Sequence, residues 1–346
     1  MKLWILLYAV FPLLVSTEDI KSHLRRLQND IFGPYSTLTK PTVAFDDAVK
    51  VTFDAVPRQL LEINSWSQKI TMMISERQTW RDEFLQWNPS DYGNITHIYV
   101  PPHKVWLPDV IFYDTPRKTT ETDRAQRSLI KILLYSTGLM ISFEPSIKTF
   151  PCPMDITFFP YDIQKCRLTV GTWNMDYSQL DLVETTNIIS NVGFISHHEW
   201  SYIGAFVERT NSCYVLEGND ETGSTLCNPS LQFQFTFERK PEFYEKNLVL
   251  PSAMIIFLGL MVFLLPNDCK EKMKFGMSVF LALCVNLRIV TNFLPSASES
   301  YPVIGTYFLT CIVLITFSIL QTTFVMSLHF RYTNTDDVPI MPPSIR

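Results

Sequence analysis

Hydrophobic and polar positions change rhythm twice along this 346-residue chain. Residues 20–32 (IKSHLRRLQNDIF) set Ile20, Leu24, Leu27 and Ile31 on one stripe, so the spacing predicts a short amphipathic helix. From there to about residue 240, short β-rich runs alternate with turn residues. Examples are VKVTFDAV (49–56), SLIKILLYS (128–136), KCRLTVGTW (165–173) and SLQFQFTFE (230–238). In the last run Leu231, Phe233, Phe235 and Phe237 alternate with Gln232, Gln234 and Thr236, the period-two pattern of a half-buried strand. Many short strands without intervening helices predict an antiparallel β-sandwich. Beyond residue 247 the chain turns apolar. Residues 248–265 and 302–328 carry no charge, and residues 273–294 are apolar with polar interruptions. Each reaches or exceeds the roughly 18 residues that a membrane-crossing helix needs. Spans are expected at about 247–265, 273–294 and 302–329.

The first residues, MKLWILLYAVFPLLVST, combine Lys2, a short apolar run and small residues at Ser16 and Thr17. That pattern predicts a signal peptide over 1–18, too short to span a bilayer comfortably. An extracellular sandwich over 19–241 follows, then an all-α transmembrane domain over 242–330 and a cytoplasmic segment over 331–346. Lys270, Lys272 and Arg331 then fall on the cytoplasmic side, as positive-inside bias requires. Four cysteines (Cys152, Cys166, Cys213, Cys227) precede the first span, an even number suited to two disulfides in an oxidising compartment. Cys269, Cys284 and Cys311 are expected as free thiols. Asn94-Ile95-Thr96 is the one glycosylation sequon without a central proline. The net charge of −5 argues against a nucleic-acid partner. The six histidines show no metal-ligand spacing apart from the adjacent His197-His198, read as surface loop. With no nucleophile elbow and no glycine-rich phosphate loop, an enzyme is not expected, and no cofactor is implied.

The middle span carries the clearest candidate chemistry. Lys274, Ser278, Leu281, Val285, Arg288 and Asn292 recur at helical spacing on one face. Charged and polar groups inside a span rarely face lipid and usually line a water-filled path.

Between Cys152 and Cys166 lies CPMDITFFPYDIQKC, with Phe159-Pro160-Tyr161-Asp162 at its heart. With it come TWRDEFLQWNPSDYGNIT (79–96), VWLPDVIFYD (105–114), GTW (171–173), HEW (198–200), VFLLPNDCKEKMKF (262–275) and PVIGTYFLTCIVLITFSI (302–319). These ordered motifs resemble the Cys-loop receptors, the pentameric ligand-gated ion channels, in their nicotinoid branch, and most nearly serotonin type-3 receptor subunits. The resemblance implies a Cys152–Cys166 disulfide, a homo- or heteropentamer of Cys-loop subunits forming a serotonin- or acetylcholine-receptor-like cation channel, and a small neurotransmitter agonist bound between neighbouring sandwiches. It places Trp173 and Tyr113 on the principal binding face and Arg77 and Phe143 on the complementary face. Family agonists are usually cationic amines held over aromatic rings. It assigns gating coupling to Pro160, Asp162, Arg239 and the linker beginning at Pro295, and the pore to the middle span, with Glu271 before it resembling cation-selective members. The setting it implies is a multi-pass protein of the cell membrane, at the postsynaptic side, with its N-terminus extracellular.

Departures from the family pattern shape the rest. Ser75 stands where a complementary-face tryptophan is usual and Asn228 where a box tyrosine is common, which leaves Tyr214 as the aromatic candidate of that hairpin. Cys213 and Cys227 are expected to staple it. Ser65 replaces an acidic residue in an early turn, leaving Asp162 as the expected sole partner of Arg239. Lys274 near the narrow end of a pore opposes cations. A charge about 7 Å away costs roughly 0.6 kcal/mol even in bulk-water dielectric, and five roughly 3 kcal/mol. An accessory subunit in a heteropentamer is therefore expected. The family's fourth membrane helix is not in this sequence, so the alternatives are a truncated, non-conducting regulatory subunit or a membrane-tethered ligand-binding module.

Overall fold

The computed structural model describes residues 20–44, 46–115, 130–184, 188–189, 193–216, 224–266, 271–293 and 302–333. The expected signal peptide, Cys269, Lys270, and Pro295 with its linker lie outside the described residues.

Helix α1 covers 20–32 and lays Leu27 and Ile31 on the sandwich, with Leu24 partly covered. Ile20 is 53% exposed, so the packed stripe begins one turn later than its spacing implied. One sheet contains β1 (Val49–Asn64), β2 (Lys69–Arg81), β3 (His97–Val100), β5 (Ile132–Tyr135), β6 (Leu139–Pro151) and β8 (Leu180–Val183), in the order β3-β5-β6-β2-β1-β8. The other contains β4 (Val110–Phe112), β7 (Ile163–Thr172), β9 (Ile188–Ile189), β10 (Trp200–Leu216) and β11 (Ser224–Arg239), in the order β4-β7-β11-β10-β9. The ladders are antiparallel except the short β1–β8 pairing.

Local chemistry explains where strand limits differ from the sequence runs. β1 continues past residue 56 through two register shifts, the first at Pro57, which has no N–H for the ladder. Among the described residues 130–136 of the run 128–136, β5 ends at Tyr135, because the Ser136–Gly138 turn, with Gly138 at φ +79°, delivers the chain to β6. Along β11 the period of two holds: Leu231, Phe233, Phe235 and Phe237 are all buried between the sheets. The Cys152–Cys166 disulfide ties the exit of β6 to β7, one strand from each sheet.

Three long helices follow: α2 (Glu242–Leu264), α3 (Lys272–Phe293) and α4 (Val303–Thr333). All three are long and apolar enough to cross a membrane. α2 begins five residues earlier than expected, with a turn of π-helix over Glu245–Val249. Lys272 is the first residue of α3. Its ammonium is buried and donates to the carbonyl of Leu265 at 2.9 Å, closing the end of α2.

Phe235→Ala should destabilise the sandwich by about 3–5 kcal/mol through a core cavity. Phe143→Ala, at an exposed ring, should stay within about 0.5 kcal/mol. Thermal unfolding of the two purified variants checks the contrast.

Candidate functional site

At one end of the sandwich, backbone hydrogen bonds present an aromatic pair. Trp173 follows the last residue of β7 and is 64% exposed. Tyr113 follows β4, and its N–H bonds the Thr169 carbonyl at 3.0 Å. The two rings meet edge to face with centroids 6.3 Å apart. Gly171 permits this approach: a Cβ there would sit 2.2 Å from the Tyr113 hydroxyl oxygen. That hydroxyl donates to the Thr172 carbonyl at 2.7 Å. Asp114 accepts from the Thr169 N–H and Asp109 from the Asn174 N–H, so residues on both sides of Trp173 are pinned. Asn228, read from sequence as a lost aromatic, is buried and donates its amide to the carbonyls of Thr172 (3.0 Å) and Trp173 (3.2 Å). Cys213 and Cys227 face each other across β10 and β11 and are disulfide-bonded. Tyr214 pairs with Leu226 through the backbone, and its side chain lies outside the described residues.

Arg77 and Phe143 belong to the opposite sheet, directly paired across β2 and β6. Arg77 forks onto Asp54 of β1, and Phe143 stays open. Ser75 accepts from Arg58 at 2.9 Å. One chain therefore does not bring the Trp173–Tyr113 pair and the Arg77–Phe143 pair into one cavity. A site using both sets needs two chains.

The other end of the hairpin holds a buried charge cluster. The Arg239 side chain is 5% exposed and that of Asp162 1%. Their bonds measure 2.7 and 3.1 Å, a bidentate pair. Asp162 is not the sole partner, as the sequence suggested. Glu199 accepts from Arg239 at 2.5 Å and from the Tyr244 hydroxyl at 2.7 Å. The guanidinium also lies 4.2 Å from the Trp200 ring centroid and 5.1 Å from that of Phe159. Burial disfavours the Arg239 charge, but the Asp162 hydrogen bond and the surrounding negative charge outweigh it and hold its pKa above the ordinary value. Glu199 reaches Arg239 because its neighbour Trp200 pairs with Arg239 at the end of β11, a register that sequence spacing does not carry.

This cluster sits on the helices. Ile156 and Phe159 of the loop pack with Tyr244 and Leu248 of α2, Val290 of α3 and Phe308 of α4. The Val303 N–H, one of the orphan donors of α4, bonds the Thr157 carbonyl at 2.9 Å. Tyr161 donates to Glu245 at 2.8 Å. Pro160 lies in this loop after a cis peptide bond.

On α3, Lys274, Ser278, Leu281, Val285, Arg288 and Asn292 are all exposed, while Val279, Leu283 and Val290 turn inward. Lys274 is not a bare cation: Glu271 pairs with it at 3.0 Å. Asn94 is exposed in a left-handed turn with Gly93. Among the described residues no group of histidine, cysteine and carboxylate side chains has metal-binding geometry.

A β-sandwich with an aromatic face at one end, docked at the other on helices able to cross a bilayer, defines a multi-pass membrane receptor architecture. Comparison with known proteins names it. Residues 24–241 match the neurotransmitter-gated ion-channel ligand binding domain, and residues 248–345 match the neurotransmitter-gated ion-channel transmembrane region. The chain belongs to the neurotransmitter-gated ion-channel family, whose members are channels rather than enzymes. It is 31% identical to chicken neuronal acetylcholine receptor subunit alpha-4 over 337 residues, 97% of this chain and 52% of that protein. It is likewise 31% identical to mouse subunit alpha-2 over 338 residues (97% of this chain, 64% of that protein) and 32% identical to human alpha-2 over 323 residues (93% and 58%). The chain thus spans between about half and two-thirds of these curated relatives. All three are acetylcholine receptor subunits, so they lend no support to the serotonin type-3 likeness.

Asp162→Asn keeps the volume but removes the bidentate carboxylate partner of a buried guanidinium, leaving Glu199, and should cost about 3–5 kcal/mol. Glu199→Gln, at a more exposed partner, should cost less, and thermal unfolding of both variants ranks them. His197 offers a pH test. Its Nδ1 accepts from the Glu199 and Trp200 N–H groups at 3.2 and 3.3 Å, and burial, helped by the neighbouring His198, holds its pKa below the ordinary 6.5. The unfolded chain then binds more protons as pH falls through this range, so stability falls too. The melting midpoint should drop between about pH 7.5 and 5.5, and less steeply in His197→Asn, whose oxygen accepts without titrating.

Proposed function

We propose that this chain is one subunit of an amine-gated pentameric ion channel at the cell surface, with its N-terminus outside and its agonist held between neighbouring subunits. Trp173 and Tyr113 supply the principal face, and Arg77 and Phe143 of the next subunit the complementary face. An exposed indole beside a phenol attracts an ammonium ion by roughly 0.5–2 kcal/mol. The observation that carries this reading is one continuous hairpin. β11 holds Asn228, beside the aromatic pair, and Arg239, in the cluster that rests on the helices. Eleven residues of strand span roughly 36 Å. Agonist affinity that differs between two hairpin positions would thereby bias the helices.

α3 is the proposed pore lining, with Leu281 as its apolar constriction. The Glu271–Lys274 pair is proposed to tune cation passage, because the carboxylate offsets much of the lysine barrier estimated from sequence. An accessory role in a heteropentamer follows from the binding face instead: Ser75 and Asn228 leave the aromatic box short when two copies of this chain meet.

Two-electrode voltage clamp tests the reading, on this chain alone and with a full-length acetylcholine receptor alpha-2 or alpha-4 subunit. The expected result is silence alone and amine-evoked current of altered conductance in the mixture. Robust current from the chain alone would sink the accessory role, and no effect in either case would sink the channel assignment. In the mixture Lys274→Gln should raise cation conductance, and Glu271→Gln, which uncovers the lysine, should lower it.

A further inference from the structure

We propose that Lys148 is a positioning residue for the aromatic pair: its ammonium, ion-paired with Glu76 between the sheets, lies over the Phe112 ring and so holds β4 and Tyr113 against Trp173. This rests on the amine-site reading above. β4 is three residues long and lies at the edge of its sheet, paired with β7 alone among the described strands. Three register pairs, Val110 with Thr172 through Phe112 with Val170, are all the ladder it has. Side-chain contacts therefore decide how firmly it sits. Side chains alternate along an extended segment, so Phe112 packs on the core while its neighbour Tyr113 meets Trp173. Two groups of the opposite sheet hold the Phe112 ring. Phe53 of β1 meets it edge to face with centroids 5.9 Å apart, and Lys148 of β6 places its Nζ 4.1 Å from the ring centroid.

The lysine is itself fixed. Its side chain is 14% exposed and that of Glu76, on β2, 6%, with Nζ 2.9 Å from a carboxylate oxygen. The Ser146 hydroxyl donates to the same oxygen. Glu76 continues the buried row of Ile70, Met72 and Ile74 along β2, so an ion pair stands where the pattern has apolar side chains. Such a pair adds little stability over apolar side chains of the same volume, because both ions give up water. What it adds here is direction. The carboxylate sets where the ammonium can lie, and an ammonium taken out of water is attracted more strongly to a ring face than an exposed one. The pair thereby ties β2 and β6 of one sheet to the short edge strand of the other, one residue before Tyr113.

The test uses the full chain in lipid nanodiscs, labelled with 5-fluorotryptophan, with the Trp173 signal assigned by its loss in Trp173→Phe. The Tyr113 ring lies edge to face on the indole, so the ligand-free fluorine shift reports where Tyr113 sits. Tetramethylammonium is the probe cation. The double variant Glu76→Gln, Lys148→Met removes the bridge without stranding the Glu76 carboxylate. It should move the ligand-free Trp173 shift and raise the dissociation constant by about two- to fivefold, the worth of one exposed aromatic face. Its melting midpoint should stay close to wild type. Lys148→Arg keeps a cation over the ring and should hold both readouts at wild-type values. Phe112→Leu, which leaves the ion pair whole, takes the place of the double variant if that fails to fold. A lowered melting midpoint with the shift and the dissociation constant at wild-type values would overturn the role of Lys148 and leave the amine site standing. A wild-type Trp173 signal that ignores tetramethylammonium would overturn the amine site. The ligand-free shift in the variants would then decide by itself whether Lys148 places Tyr113.

Discussion

A guanidinium buried at the seam between sheet and helix governs how this molecule is put together. Arg239 is removed from water, so its charge has to be met within the fold. Asp162 meets it from the disulfide loop, Glu199 from the entry to β10, and the faces of Trp200 and Phe159 close over it. Each partner comes from a different stretch of chain. The loop between Cys152 and Cys166, the hairpin and the first turn of α2 are therefore mutually fixed. The apolar cluster of Ile156, Phe159, Leu248, Val290 and Phe308 then carries that arrangement onto all three long helices. The charged group gives orientation, and the apolar surface beneath it gives adhesion.

Much of this was legible from the order of residues, because period and length are strong signals. The alternation through Leu231–Phe237 and the uncharged runs after residue 247 reported a half-buried strand and membrane-length helices without ambiguity. What spacing does not report is pairing. Glu199 was overlooked as a partner of Arg239 because the two are far apart in the chain and meet only in the register of β10 on β11. Counting back from the Cys213–Cys227 pair sets Ser201 opposite Arg239, and the bulge between Tyr202 and Gly204 brings Trp200 there instead. Ion pairs within one turn of helix escaped for a simpler reason. Lys274 was weighed as a lone charge, although Glu271 lies three residues before it.

The proposed binding face shows the same division. Trp173 and Tyr113 stood out through the motifs around them. The role of Asn228 did not, since a polar side chain in place of an aromatic one looks like a loss until its hydrogen bonds are seen. Its amide fixes the backbone beside the indole, so a feature read as missing proves to be an exchange of ring surface for backbone order. The proposed complementary pair, Arg77 and Phe143, sits on the opposite sheet from the strand that leads to Trp173.

The bulge in β10 has an evolutionary consequence. Side chains on a strand alternate between faces, so a residue gained or lost on either side of it would send every later side chain to the wrong face of the sheet. Between Gly204 and Arg239 the hairpin can exchange residues but not change their count on one strand alone. Tolerated length variation should therefore collect at the hairpin tip, beyond the Cys213–Cys227 bond, where new shapes for ligands can arise without disturbing the seat of Arg239.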